Sequence, residues 1–220
     1  MSTTERPVLY GAAYSVYVRA ARLVLAEKAV AYDLVEVDIF APKGPPDWYR
    51  HHHPFGRIPA FEHGDVRLYE SSAIQRYVDE LFPGPPLQPS HPRARARMNQ
   101  VISIVDSYVY QTLVRSIFAE RVRAPARGRP ADEGKIADAI PKAETCLKVL
   151  NDIAAGDAWL AGEALSLADL QAAPMFAYFR MAPEGAAMLG RYPAIASWWD
   201  RLAMRPSMKA TRSPWEADIE

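Results

Sequence analysis

A chain of 220 residues, half of them hydrophobic, has material for one large domain or two small ones with ample core. Its 26 basic side chains balance 26 acidic ones, which argues against general affinity for nucleic acid or for an anionic membrane surface. Cys146 is the one cysteine, so no disulfide framework forms within one chain; no apolar run reaches membrane-spanning length, and the opening Met-Ser-Thr-Thr-Glu-Arg lacks the layout of a secretion signal, so the expected location is a reducing cytoplasm.

Val8 to Tyr10 predicts a short strand and Gly11 a turn. Ser15 to Val30 predicts a helix with apolar residues on much of its surface (Val16, Ala20, Leu23, Leu25), hence one buried against a sheet. Ala31 to Val37 is β-branched and partly alternating, which completes a β-α-β unit with parallel strands and a right-handed crossover. Residues 40–54 are proline-rich, with one helical turn expected around Asp47 to His51. A strand at Ala60-Phe61, a turn at Glu62 to Asp65, a strand at Val66 to Tyr69 and a helix over 71–82 follow. Phe82-Pro-Gly-Pro-Pro-Leu-Gln-Pro is a rigid break that no helix crosses. Beyond it the periodic segments are helical, about 92–123, 131–155, 166–181 and 192–205. The expected domains are therefore 1–83 and 92–220, joined by a linker at 84–91. Within the second, Ser166-Leu-Ala-Asp169 is a capping box with Asp in the place of Glu or Gln, and Leu165 and Leu170 stand at the staple positions beside it. Cys146 shares a helical face with Ile136, Ile140, Ala143, Leu147 and Leu150, which suits a small apolar packer.

Residues 54–78 carry the densest chemical signal. Ser71 stands at a helix start, where free amide N–H groups and the helix dipole suit a carboxylate, and Glu70 beside it offers the charge for an ammonium. The plain alternative is a capping serine and a solvated acid. Pro59 removes a backbone donor, and a cis Ile58-Pro59 bond would turn the N–H and C=O of Ile58 outward, to pair with an extended peptide like an edge strand. The ordinary alternative is a trans proline leading into a strand. Three adjacent histidines, His51 to His53, would alternate sides in an extended chain and so would not converge on one metal ion.

A proline loop, a hairpin and an acid–serine pair in this order resemble the glutathione site of cytosolic glutathione transferases. The Ser166–Asp169 box and Arg191-Tyr-Pro-Ala-Ile-Ala-Ser-Trp-Trp-Asp resemble features of their helical domain. The resemblance covers nearly the whole chain. It implies an α/β thioredoxin-like N-terminal domain followed by an all-α C-terminal domain, glutathione as co-substrate with no metal, and a homodimer. Tyr10-Gly-Ala-Ala-Tyr-Ser15-Val-Tyr-Val-Arg19 resembles the serine-type branch (phi- and theta-like, of bacterial style), where a serine at the start of the first helix points at the glutathione sulfur. That implies Ser15 as the catalytic residue, with Tyr14 the rival and a plain N-cap the remaining alternative. Arg57, Ile58, Pro59, Glu70, Ser71 and His53 are the implied glutathione contacts. Arg57 stands where the phi-like pattern has glutamine, so its role stays open between a grip on the glycyl carboxylate and a solvent-facing side chain. Tyr14, Tyr110, Phe118 and Phe176 are candidates for a second-substrate pocket, with core packing the alternative for each. In the implied dimer, arginines 93, 95 and 97 face Asp79 or Glu80 of the partner. The implied activity is conjugation of the glutathione thiolate to small, mostly hydrophobic electrophiles. A glutathione-dependent dehalogenase, isomerase or peroxidase, or a non-catalytic ligand carrier of the same fold, are the alternatives.

Overall fold

The computed structural model describes residues 5–216. The chain divides into two compact units. One runs to Leu87 and takes in the segment from Arg205 onward; the other is Gln88–Met204.

The first unit is built on a four-stranded sheet in the order β2-β1-β3-β4. Strand β1 (Val8–Tyr10) pairs in parallel with β2 (Asp33–Val35) across helix α1 (Val16–Glu27). After a 3-10 turn at Asp47–His51, β3 (Ala60–His63) runs antiparallel to β1 and turns into β4 (Val66–Tyr69). Helix α2 (Ser71–Leu81) closes the thioredoxin-like order. Alternation decides which face is buried: Leu9 and Phe61 are register partners and are shut away from water, as are Leu23, Val24 and Ile74 of the helices.

The second unit is helical throughout: α3 (Pro92–Ile104), a π-helical stretch (Val105–Arg123) continued by α4 (Ala124–Ala126), then α5 (Glu133–Ala154), α6 (Leu167–Phe179), α7 (Pro183–Leu189) and α8 (Pro193–Ala203). Sequence periodicity predicts one α-helix over 92–123. The structure instead widens it from Val105, with buried Val105, Val109, Val114 and Phe118 recurring at intervals of four and five residues. Helix α6 is buried on every side, and its capping box closes both ways. Cys146 lies inside α5's apolar face, where burial pushes its thiol up. Arg121 is taken up by Glu133 and Glu184 of its own unit.

Two short elements escape the periodicity, α7 and α9 (Pro206–Ala210). The second of these belongs to the segment that clusters with the sheet, although the sequence reading assigns 92–220 to the helical domain. A further correction concerns Asp79. The resemblance points it at a partner subunit, but its side chain is buried against Lys28, with Nζ–Oδ1 at 3.1 Å, and it accepts the Leu87 N–H at 2.9 Å. It is thus committed within its own unit.

Candidate functional site

Strand register gathers the site. Tyr10 is the partner of Ala60, and Ala60 of Tyr69, so these three residues lie side by side across β1, β3 and β4. Each stands next to one of the singled-out segments. Gly11 to Ser15 follow Tyr10, Ile58-Pro59 precede Ala60, and Glu70-Ser71 follow Tyr69. Three stretches far apart in sequence therefore leave the sheet at one end of its strands.

Gly11 permits their close approach. A Cβ there would stand 2.4 Å from Val18 Cγ2 and 3.3 Å from Ile58 Cβ, so a side chain would part the first turn of α1 from the proline loop. Ser15 is the N-cap of α1 and is partly exposed; its Oγ accepts the Val18 N–H at 3.4 Å. Because that oxygen acts as an acceptor in the cap, its own proton stays available for an anion placed beside the helix start.

Both neighbouring phenols are spent elsewhere. Tyr14 donates to Asp38 Oδ1 at 2.7 Å and stacks on Phe40, with ring centroids 5.8 Å apart. Tyr10 donates to Glu62 Oε2 at 2.8 Å. Burial first, then the hydrogen bond to Glu62, pushes the Tyr10 hydroxyl up to about 12. Burial and Asp38 push Tyr14 further still. Each phenol stays protonated, with its hydrogen aimed at a protein carboxylate.

The Ile58-Pro59 bond is cis, as expected. Behind it, the Tyr49 hydroxyl donates to the Arg57 carbonyl at 2.7 Å, and Tyr49 itself is fully buried. The Arg57 side chain is exposed. Glu70 adopts φ 71° and ψ 114°, a left-handed conformation that costs a non-glycine residue about 1–3 kcal/mol. Its carboxylate is exposed, its carbonyl accepts the N–H groups of Ala73 and Ile74, and Ser71 is buried as the first residue of α2. Strain of this kind persists where the surroundings hold it, and here it turns the acid outward at the head of a helix.

The histidines stand at the end of the 3-10 turn and not in extended chain, so the alternation expected of them does not apply. His51 is exposed, while His52 stacks on Tyr10 at 4.3 Å with Nδ1 3.0 Å from Glu62 Oε1. His53 is buried, 4.9 Å from the Tyr69 ring. Burial lowers its pKa, with the Glu70 charge opposing and that of Arg57 adding. That burial favours the neutral ring.

Of the second-pocket candidates, Phe118 stacks on Tyr178 at 4.3 Å and Phe176 meets Trp198 edge-on at 5.0 Å, both buried within the helical unit. The structure gives these two packing roles. Tyr110 is partly exposed on the π-helical stretch, and Tyr14 is partly exposed beside Ser15. Sequence reasoning overlooks Asp38, which precedes the proline-rich stretch, and Tyr49, which lies in the short turn within it. Gly11 is legible there only as a turn, although a glycine between strand and helix is the cue to a close approach.

The sequence profile of the glutathione S-transferase N-terminal domain matches residues 9–86, and that of the C-terminal domain matches residues 110–206. The chain belongs to the glutathione S-transferase family. This transferase is close to plant phi-class members. It is 32% identical to a probable glutathione S-transferase, GSTF1, of Oryza sativa subsp. japonica over 91% of this chain and 93% of the relative. With glutathione S-transferase 4 of Zea mays it shares 33% identity over 90% of this chain and 88% of that one. The crystal structure of glutathione transferase F7 from Populus trichocarpa superposes with a TM-score of 0.82 at 30% identity, covering 93% of this chain and 97% of that one. A maize glutathione S-transferase I, solved in complex with an atrazine glutathione conjugate, gives the same TM-score at 27% identity over 94% of this chain and 96% of that one.

Proposed function

We propose that this transferase conjugates the thiolate of glutathione to small, mostly hydrophobic electrophiles, and that Ser15 stabilises the thiolate. The observation that carries the reading is the row Tyr10–Ala60–Tyr69, from which the segments holding Ser15, Ile58-Pro59 and Glu70-Ser71 leave at one end of the strands. Glutathione carries two carboxylates, an ammonium and a thiol. Ser71 and the first amides of α2 take a carboxylate, Glu70 takes the ammonium, and the backbone of Ile58 pairs with the cysteinyl residue. Arg57, exposed beside the loop, supplies a cation for the glycyl carboxylate, and buried His53 supports that loop as a neutral ring. The thiol is a poor nucleophile, so the reaction turns on its ionisation. A hydrogen bond from Ser15 to a charged sulfur is worth about 1.5–3 kcal/mol, which lowers a thiol pKa by roughly 1–2 units. The commitment of the Tyr10 and Tyr14 hydroxyls to Glu62 and Asp38 supports Ser15 over either phenol. Tyr14 with Phe40 offers an aromatic wall beside Ser15 for the electrophile. The reading extends to a cytoplasmic homodimer, for which sedimentation at micromolar concentration is the check.

The decisive experiment is Ser15→Ala, assayed with glutathione and 1-chloro-2,4-dinitrobenzene. We expect kcat/KM to fall by about 10–100-fold at pH 7, as suits the loss of one charge-assisted hydrogen bond, with glutathione affinity changing far less. The deficit should narrow as pH rises, because glutathione then ionises unaided. Tyr14→Phe serves as the control and should be mild; the reverse ranking would hand the role to the phenol.

A further inference from the structure

We infer that Arg19, clamped by the segment 205–216, is a positioning residue that fixes where Ser15 stands; the inference rests on the role proposed for Ser15. Helix α1 carries Ser15 at its very start, and a helix end is the part with fewest internal bonds. Arg19 lies one turn on, and its N–H donates to the Ser15 carbonyl at 2.9 Å. Its side chain is only 2% exposed, which is unusual for arginine. One guanidinium nitrogen donates to Glu216 Oε1, and the other to the Met208 carbonyl at 3.2 Å. Glu216 is itself oriented, since the same oxygen accepts the Ser213 N–H at 3.1 Å.

The segment also grips the far end of the helix. Arg205 forks onto Glu27 at 2.7 and 2.6 Å, and the Ser207 hydroxyl donates to the same carboxylate. Both ends of α1 are thus tied to one returning stretch of chain. Apolar side chains would hold that stretch about as firmly as a buried ion pair does. A planar fork bound to a carboxylate and a carbonyl adds direction, because it sets the rotation and height of the turn that bears it.

The test is Arg19→Lys, which keeps the charge and removes the fork. With glutathione and 1-chloro-2,4-dinitrobenzene, we expect kcat to fall about 5–20-fold while KM for glutathione stays within about twofold. The pH of half-maximal kcat should move upward, toward that of Ser15→Ala. Placed on top of Ser15→Ala, Arg19→Lys should then cost less than about twofold, because the group it positions is gone. A loss as large in the Ser15→Ala background as in the parent, or a lower Tm with an unmoved pH profile, would overturn the inference and leave Arg19 a structural tie. If Ser15→Ala alone were near fully active, the reading of the site would fail instead, and the two results are told apart by that single variant. Should Arg19→Lys not fold, Glu216→Asp, whose side chain is 16% exposed, supports the same comparison with the same outcomes.

Discussion

Asp169 is completely buried and faces four donors: the N–H groups of Leu160 and Ser166, the Ser166 hydroxyl and the Trp198 indole, all at 2.8–2.9 Å. A capping box alone would make its loss cost about 0.5–2 kcal/mol. Here Asp169→Ala also strands buried donors on a neighbouring loop and on α8, so we expect about 3–5 kcal/mol of destabilisation in denaturant unfolding, with glutathione affinity of the folded fraction unchanged. A loss under about 1 kcal/mol would mean that water reaches those donors. The sequence shows the box and not its reach, since Leu160 and Trp198 are joined to Asp169 only by the fold. Gly11 is the corresponding residue in the sheet unit. Gly11→Ala should cost about 1–3 kcal/mol by overpacking against Val18 and Ile58, and should weaken glutathione binding as well. Calorimetric titration with glutathione reads the second effect, and unaltered affinity would show that the loop and helix give way harmlessly.

At the scale of elements, Lys28 at the end of α1 joins that helix to α2 and to the linker. Its ammonium donates to the carbonyl and carboxylate of Asp79 in α2 and to the Pro85 carbonyl beyond it, at 3.0, 3.1 and 3.1 Å. Asp79→Asn leaves that cation buried with only carbonyl oxygens and should cost about 3–5 kcal/mol. Lys28→Met combined with Asp79→Leu should recover much of the loss. Thermal unfolding of the two variants checks the ranking, and a double variant worse than the single would show that the ion pair, together with the Leu87 N–H that Asp79 also takes up, is worth more than its desolvation. Most elements were legible because period and punctuation agree. Alternation marks the strands, Ser15 and Ser166 mark helix starts, and the prolines after Phe82 end α2. What escaped has no period to read. Helices α7 and α9 are too short to display one, the widening at Val105 leaves apolar spacing nearly as an α-helix would, and the partner of Asp79 lies 51 residues away in sequence. The same holds for the site. Ser15, Ile58-Pro59 and Glu70-Ser71 stand out as candidates by residue type, whereas the Asp38–Tyr14 bond depends on two segments meeting.

For the whole molecule, the unit with the sheet is written in two pieces, with the helical unit between them. Chain order therefore sets the order in which the parts of each unit become available. As the polypeptide leaves the ribosome from its N-terminus, the sheet and α1 emerge first but lack Arg205, Met208 and Glu216. The helical unit, one uninterrupted stretch, is complete before those residues are made. Catalytic competence would then arrive last, when the returning segment closes on a helix synthesised almost two hundred residues earlier (|i−j| of 197 for Arg19 and Glu216).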